Sequence, residues 1–207
     1  MTPLLYLLSI GFIIGLSGAM LPGPLLVYTI SESMKKGVKT GPLVILGHMI
    51  VEVFLIALIA LGLSSIMTST LFVRMVGVVG GFALVVMGSS LYVSNWSLKD
   101  VKSSGKGNIV LGGMFFSAFN PGFPVWWATA GLVMLIKGFE LSGYTGVAVI
   151  VVGHWLADLG YFTLIAGLVH HGRESLLSSR WVNHFKNILS LILGVIGLYF
   201  IYWVSRM

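Results

Sequence analysis

The chain has 207 residues, of which 57% are hydrophobic and 9% charged, with a formal net charge of +6 and a mean hydropathy of +1.01. A soluble domain carries about 25% charged residues, so a soluble fold is excluded, and the absence of cysteine removes disulfides, thiolate metal sites and thiol-redox chemistry. The basic residues fall in short stretches between apolar runs, a pattern of membrane orientation and anionic headgroups rather than of nucleic-acid binding.

Crossing a hydrocarbon layer of about 30 Å takes roughly 20 apolar residues, and six spans are predicted. The first covers 4–30 and is interrupted at Pro22-Gly23-Pro24. No basic segment precedes it, so no cleavable signal peptide is expected. The second covers 42–63 and the third 71–93. A polar linker, 94–108, follows. The fourth span, 109–136, is interrupted at Asn120-Pro121; the fifth is 143–169, and after a hydrophilic break at 170–186 the sixth is 188–203. The expected fold is an all-α membrane protein, one transmembrane domain over 1–207.

Loops alternate sides. Those after spans one, three and five carry Lys35, Lys36, Lys39, Lys99, Lys102, Lys106, Arg173, Arg180 and Lys186, against Arg74, Lys137 and Arg206 on the other side. The bias predicts a cell-membrane protein with these basic loops, including linker 94–108, in the cytoplasm and both termini outside.

An internal repeat divides the chain into halves at 1–93 and 109–207. Pro22-Gly23-Pro24 is answered by Asn120-Pro121-Gly122-Phe123-Pro124. Gly47-His48-x-x-x-Glu52 is answered by Gly153-His154-x-x-x-Asp158, and Gly77-x-x-Gly80 by Gly194-x-x-Gly197. The three pairs keep their order at offsets of 99, 106 and 117 residues. Three spans per half force the copies into opposite orientations, so six helices form two inverted repeats, the first helix of each broken at Pro-Gly. Secondary transporters use this plan, with a midplane site where broken helices meet.

Proline removes a backbone donor and clashes with the preceding turn, while glycine admits angles closed to other residues. Backbone groups freed at membrane depth need partners or a wet cavity. Pro22, Gly23, Pro24, Asn120, Pro121 and Gly122 are therefore candidate substrate-binding residues, half-helix ends able to hold a carboxylate or an ion; proline kinks without a ligand are the competing reading. Asn120 can contact substrate or cap the broken helix. Trp126 and Trp127 follow closely and fit packing better than cavity lining.

Glu52 and Asp158 are the acids deep in apolar runs, where charge is costly. Each stands four residues after a histidine, so His48 with Glu52, and His154 with Asp158, share a helix face. Burial and a neighbouring imidazole act on a carboxyl group in opposite senses, which suits proton loading and release near neutral pH. These four are candidate proton-coupling or cation-recognising residues; structural His–carboxylate bonds are the alternative. Gly11-x-x-x-Gly15 and Gly77-x-x-x-Gly81 suit close helix packing, within one subunit or across a homodimer.

Taken together, the small-residue run ending in Pro-Gly-Pro (Gly15 to Pro24), Gly41 and Gly47, Asn120-Pro121 and Asp158 resemble the LysE family of amino-acid exporters, which includes a homoserine/threonine-exporter branch. The likeness spans essentially the whole chain. It implies proton-driven efflux of amino acids or related metabolites, without a cofactor. One departure stands out: many members place a lysine after Asn-Pro, where this chain has Gly122. A cationic partner for a substrate carboxylate is therefore missing, and His48 and His154 add polarity beyond the family pattern.

The expected function is a secondary exporter of amino acids or similar small molecules by proton antiport, in contact with protons and the bilayer and not with nucleic acid. The alternative is a divalent metal-ion exporter, with two histidines and two carboxylates as an N/O site for the cargo; against it, the histidines lie on different spans and no His-rich or acidic loop gathers metal. No resident metal site is assigned. An enzyme is not expected, because no nucleophile elbow, His-Glu-x-x-His or phosphate-cradling glycine loop accompanies His48 and Glu52.

Overall fold

A computed structural model of the chain describes residues 3–21, 23–62, 69–93, 107–120, 122–178 and 182–206. The regular elements among them are all helical: α1 (Pro3–Ala19), α2 (Pro24–Lys36), α3 (Thr40–Ala60), α4 (Thr70–Val93), α5 (Ile109–Ala118), α6 (Gly122–Trp126), a π-helical turn (Trp127–Gly131), α7 (Leu132–Ser178) and α8 (Val182–Ser205). Among the described residues, four stretches are long and apolar enough to cross a membrane, or five if the bent pair α1 and α2 counts as one span. Helices satisfy their own backbone groups, as lipid requires, and large apolar side chains such as Phe54, Leu71, Val133 and Leu191 are left exposed on the outer surface.

Both predicted breaks are present. α1 and α2 meet at 81°, and between them Gly23 is fully extended (φ −156, ψ −178). Pro24 opens α2, where its missing N–H would be unpaired in any residue. The second break separates α5 from α6: Phe119 N donates to Phe115 O (3.0 Å), and the helix restarts with Phe123 N donating to Asn120 O (3.0 Å). Pro22 and Pro121 lie outside the described residues. Past the second break the helix widens into the π turn, a local distortion that sequence periodicity does not reveal.

α7 is two arms rather than one rod. Ser142 (φ −155, ψ 25) and Gly143 (φ 57, ψ −144) leave helical geometry, and the left-handed angle at Gly143 is one that glycine takes without strain. In an unbroken helix, residues 138 and 146 would be about 12 Å apart. Instead, a methyl group on either Gly138 or Gly146 would collide with the other's carbonyl oxygen. Arms 132–141 and 144–178 therefore fold back on each other as a hairpin.

Two boundaries differ from the sequence reading. The hydrophilic break expected at 170–186 is helical through Ser178 and again from Val182, and the first span continues to Lys36. Hydropathy marks the part of a helix that meets hydrocarbon, while its hydrogen-bond ladder runs on into the headgroup zone. Of linker 94–108 only Gly107 and Asn108 are described; the Asn108 carboxamide oxygen caps α5 by accepting from Val110 N (3.0 Å) and Leu111 N (3.3 Å).

Packing is organised by glycine seams. α1 lies along the second arm of α7, α3 along α5 and α4 along α8. A methyl on Gly11 would strike Ile150 O, and one on Gly153 would strike Leu8 O; on Gly113 it would strike Val44 O, and on Gly47, Val110 O. Gly81 and Gly197 face each other's carbonyl oxygens, Gly77 faces Val204, and Gly88 faces Leu193. Lipid offers no hydrophobic drive for helix association, so close backbone approach takes its place. The Gly11/Gly15 and Gly77/Gly81 motifs are thus occupied within the chain and carry no argument for a homodimer.

Candidate functional site

α3 presents His48 and Glu52 one turn apart, and the second arm of α7 presents His154 and Asp158 in the same way. The two pairs meet. His48 Nε2 lies 3.1 Å from Glu52 Oε1 and 3.7 Å from Asp158 Oδ2; His154 Nε2 lies 2.9 Å and 3.3 Å from the same two atoms. Glu52 is 0% exposed, Asp158 2% and His154 3%.

The two carboxylates are not equivalent. Oε1 of Glu52 faces both imidazole Nε2 atoms and accepts from Trp127 Nε1 (3.1 Å), while Oε2 accepts from Trp155 Nε1 (2.8 Å). With both imidazoles protonated at Nε2, four N–H groups surround this carboxylate, three at Oε1 and one at Oε2. Asp158 Oδ2 is buried without a hydrogen-bond partner, since its approaches to the two imidazoles lack hydrogen-bond geometry.

The histidines differ too. Nδ1 of His48 is 2.7 Å from Ser117 Oγ, and Ser117 Oγ can donate to Gly113 O at 2.7 Å. Nδ1 of His154 is buried with no hydrogen-bond partner. Its ring is stacked on Trp126 (centroids 5.1 Å apart, 21° between planes) and meets Trp127 at 85°. Gly15 permits this arrangement, because a Cβ there would stand 2.7 Å from Nδ1 of His154.

All four side chains line one cavity of about 240 Å³, together with Gly23 and Pro24 from the first break and Asn120 and Gly122 from the second. Every described candidate from the sequence is therefore brought to the same space; Pro22 and Pro121 are not described. Asn120 caps the break, its Oδ1 accepting from Gly122 N (3.1 Å), and its Nδ2 faces Gly23. α2 starts at this cavity with no side-chain cap. Among the described residues, neither lysine nor arginine lines the cavity, and the remainder of the lining is mostly apolar and includes Phe123, Trp126, Trp127, Phe162 and Phe200.

Trp126 and Trp127 line the cavity as well as pack, a correction to the sequence preference. Ser117 and Trp155 were not singled out by sequence. Trp155 adjoins His154 in the chain, and Ser117 stands 102 residues after Gly15, a correspondence visible only once α1 and α5 are set in register.

The LysE type translocator family model matches residues 16–203. The chain belongs to the LysE type translocator family. The translocator is thus a multi-pass membrane protein that moves amino acids or related compounds, and members of its family are transporters rather than enzymes. No curated protein and no solved structure matches it significantly.

Proposed function

We propose that the translocator is a proton-coupled exporter of amino acids or amino-acid-like metabolites, working through the central cavity. The observation that carries this reading is that both helix breaks and the His48/Glu52/His154/Asp158 quartet line the same space.

Six crossings in two inverted halves, 1–93 and 109–207, are part of the proposal. In support, the Gly11–Ile150 and Leu8–Gly153 contacts recur as Gly113–Val44 and Val110–Gly47, with α1 residues displaced by 102 and α3 residues by 106. For the third pair, Gly77–Val204 recurs as Leu193–Gly88 at a displacement of 116. That register matches Gly81 with Gly197, one residue from the Gly80–Gly197 match drawn from sequence. Basic stretches gather at one end, where Lys36 Nζ donates to Gly107 O (2.6 Å), Lys186 Nζ donates to Tyr92 O (2.9 Å) and Gly37 lies against His170. The positive-inside rule makes that end cytoplasmic and sets the termini outside.

In this reading Glu52 is a fixed anion held by four donors, and proton exchange falls to His48 and Asp158. Ser117 suits His48 to two states. A neutral His48 accepts from the serine hydroxyl at Nδ1; when His48 is protonated there, the hydroxyl turns to Gly113 O and its oxygen accepts instead. His154 has no such partner and serves to position Glu52. Export is tested by untargeted metabolomics of medium and cells with and without overexpressed protein. An amino acid or related metabolite should accumulate outside; no outward movement of any metabolite would reject the proposal.

One observation favours a second reading, a divalent metal ion as cargo. One ligand atom from each of the four residues lies within 4.8 Å of the others, and the four His–carboxylate separations run from 2.9 to 3.7 Å, around the ~3.3 Å edges of a tetrahedral site with ligands at 2.0–2.1 Å. The sequence objection that the histidines lie on different spans no longer applies. Against it, Oε1 of Glu52 already faces three N–H donors, which metal ligation would displace. Cellular metal content measured with and without the protein separates the readings, since a change confined to metal would favour this one.

A further inference from the structure

We infer that the cavity selects one class of cargo: zwitterionic α-amino acids with a large apolar side chain, the ammonium on Asp158 and the carboxylate at the start of α2. The inference rests on the exporter reading and narrows it.

Among the described residues, the carboxylate of the cavity wall that accepts no hydrogen bond at its buried oxygen is Asp158. Asp158 lines the cavity and its buried Oδ2, 3.3 Å from His154 Nε2 and 3.7 Å from His48 Nε2, accepts no hydrogen bond, whereas both oxygens of Glu52 already face donors from His48, His154, Trp127 and Trp155. A buried carboxylate oxygen without a hydrogen-bond donor is costly, and a substrate ammonium relieves that cost. Trp126 stands at the same wall, where an aromatic face favours a cation further.

The opposite pole is a helix end rather than a side chain. α2 has 13 residues and begins at the cavity without a side-chain cap, so the N–H groups of Leu25 and Leu26 are available where the helix dipole is positive. The Nδ2 group of Asn120, beside Gly23, adds a donor. This pole suits one carboxylate.

The rest of the wall excludes other cargo. A basic side chain would bring a second cation where both oxygens of Glu52 already face donors. An acidic one would bring a second anion where, among the described residues, neither lysine nor arginine lines the space. A small hydroxylated side chain would leave Phe123, Phe162, Ile196 and Phe200 without an apolar partner. A volume of about 240 Å³ also falls below the roughly 300–1,000 Å³ of sites for drug-sized ligands, which fits a single amino acid.

The test is a tryptophan-fluorescence titration of the full chain in lipid nanodiscs with L-leucine, L-phenylalanine, L-lysine, L-glutamate, L-threonine, N-acetyl-L-phenylalanine and phenethylamine, alongside efflux of the same amino acids from expressing cells. Leucine and phenylalanine should bind at least tenfold more tightly than lysine, glutamate or threonine, and blocking or deleting either pole of phenylalanine should cost tenfold or more. In Asp158→Asn, leucine affinity should fall by at least tenfold. If lysine, glutamate or threonine proves the tightest ligand and is exported, the inference is overturned while the exporter reading stands. If no amino acid binds and none leaves the cells, both are overturned. Because the ligand series is read on the unaltered protein, the test does not depend on the variant folding.

Discussion

Ser117 holds His48 by Nδ1 at 2.7 Å, while Gly15, the residue that stands 102 positions earlier, leaves Nδ1 of His154 without a partner. One half of the translocator thus gives its histidine a group that can both donate and accept, and the other half does not. Ser117→Ala should lower stability by about 1–2 kcal/mol, the cost of losing a buried hydrogen bond, and should flatten the pH dependence of transport. Thermal unfolding and efflux measured across pH check both parts. An unaltered pH profile would mean that Ser117 is merely structural.

Glu52 and Asp158 should respond differently to the loss of charge. Glu52→Gln keeps one acceptor oxygen but sets an NH2 against either Trp155 or the donors of Trp127 and the histidines, so a destabilisation of about 2–3 kcal/mol is expected from unsatisfied buried groups. Asp158→Asn disturbs no hydrogen bond of Oδ2 and should unfold near the parent temperature while transporting at least tenfold more slowly. Equal losses of stability in the two variants would contradict the division of roles.

The glycine seams predict a matched pattern of tolerance. Gly47→Ala and Gly153→Ala each force a methyl against a backbone carbonyl, of Val110 and Leu8, and should cost about 1–3 kcal/mol through overpacking. At Gly167 a Cβ would meet nothing within 4 Å, so Gly167→Ala should be neutral or slightly stabilising through helix propensity. The yield of monodisperse protein and its unfolding midpoint distinguish these outcomes.

Orientation is open to cysteine labelling because the parent chain has no cysteine. Tyr144→Cys, at a position 85% exposed and beside the hairpin turn, should react with a membrane-impermeant maleimide on intact cells. Gly107→Cys, next to the basic linker, should react only after permeabilisation. The reverse pattern would invert the topology.

The His-x-x-x-carboxylate pairs were legible because a four-residue spacing fixes a helix face whatever the helix later packs against. The two breaks were legible because proline acts on the backbone locally. The filled shell of Glu52 was not, since Trp127 and Trp155 reach it from sequence separations of 75 and 103 residues and neither spacing repeats. Nor was the helical character of 170–178, where polar side chains conceal a continuous hydrogen-bond ladder. The third repeat came out one residue off register, because glycine-rich stretches such as Gly77 to Gly81 align with a partner in more than one way.

The central claim, that one cavity exchanges protons for substrate, is tested most directly in proteoliposomes loaded with an exported amino acid and a pH-sensitive dye. An imposed acid exterior should accelerate efflux and acidify the lumen in step with it, and Asp158→Asn should slow both signals at least tenfold. Efflux without proton movement, or Asp158→Asn running at the parent rate with the parent pH profile, would contradict the account.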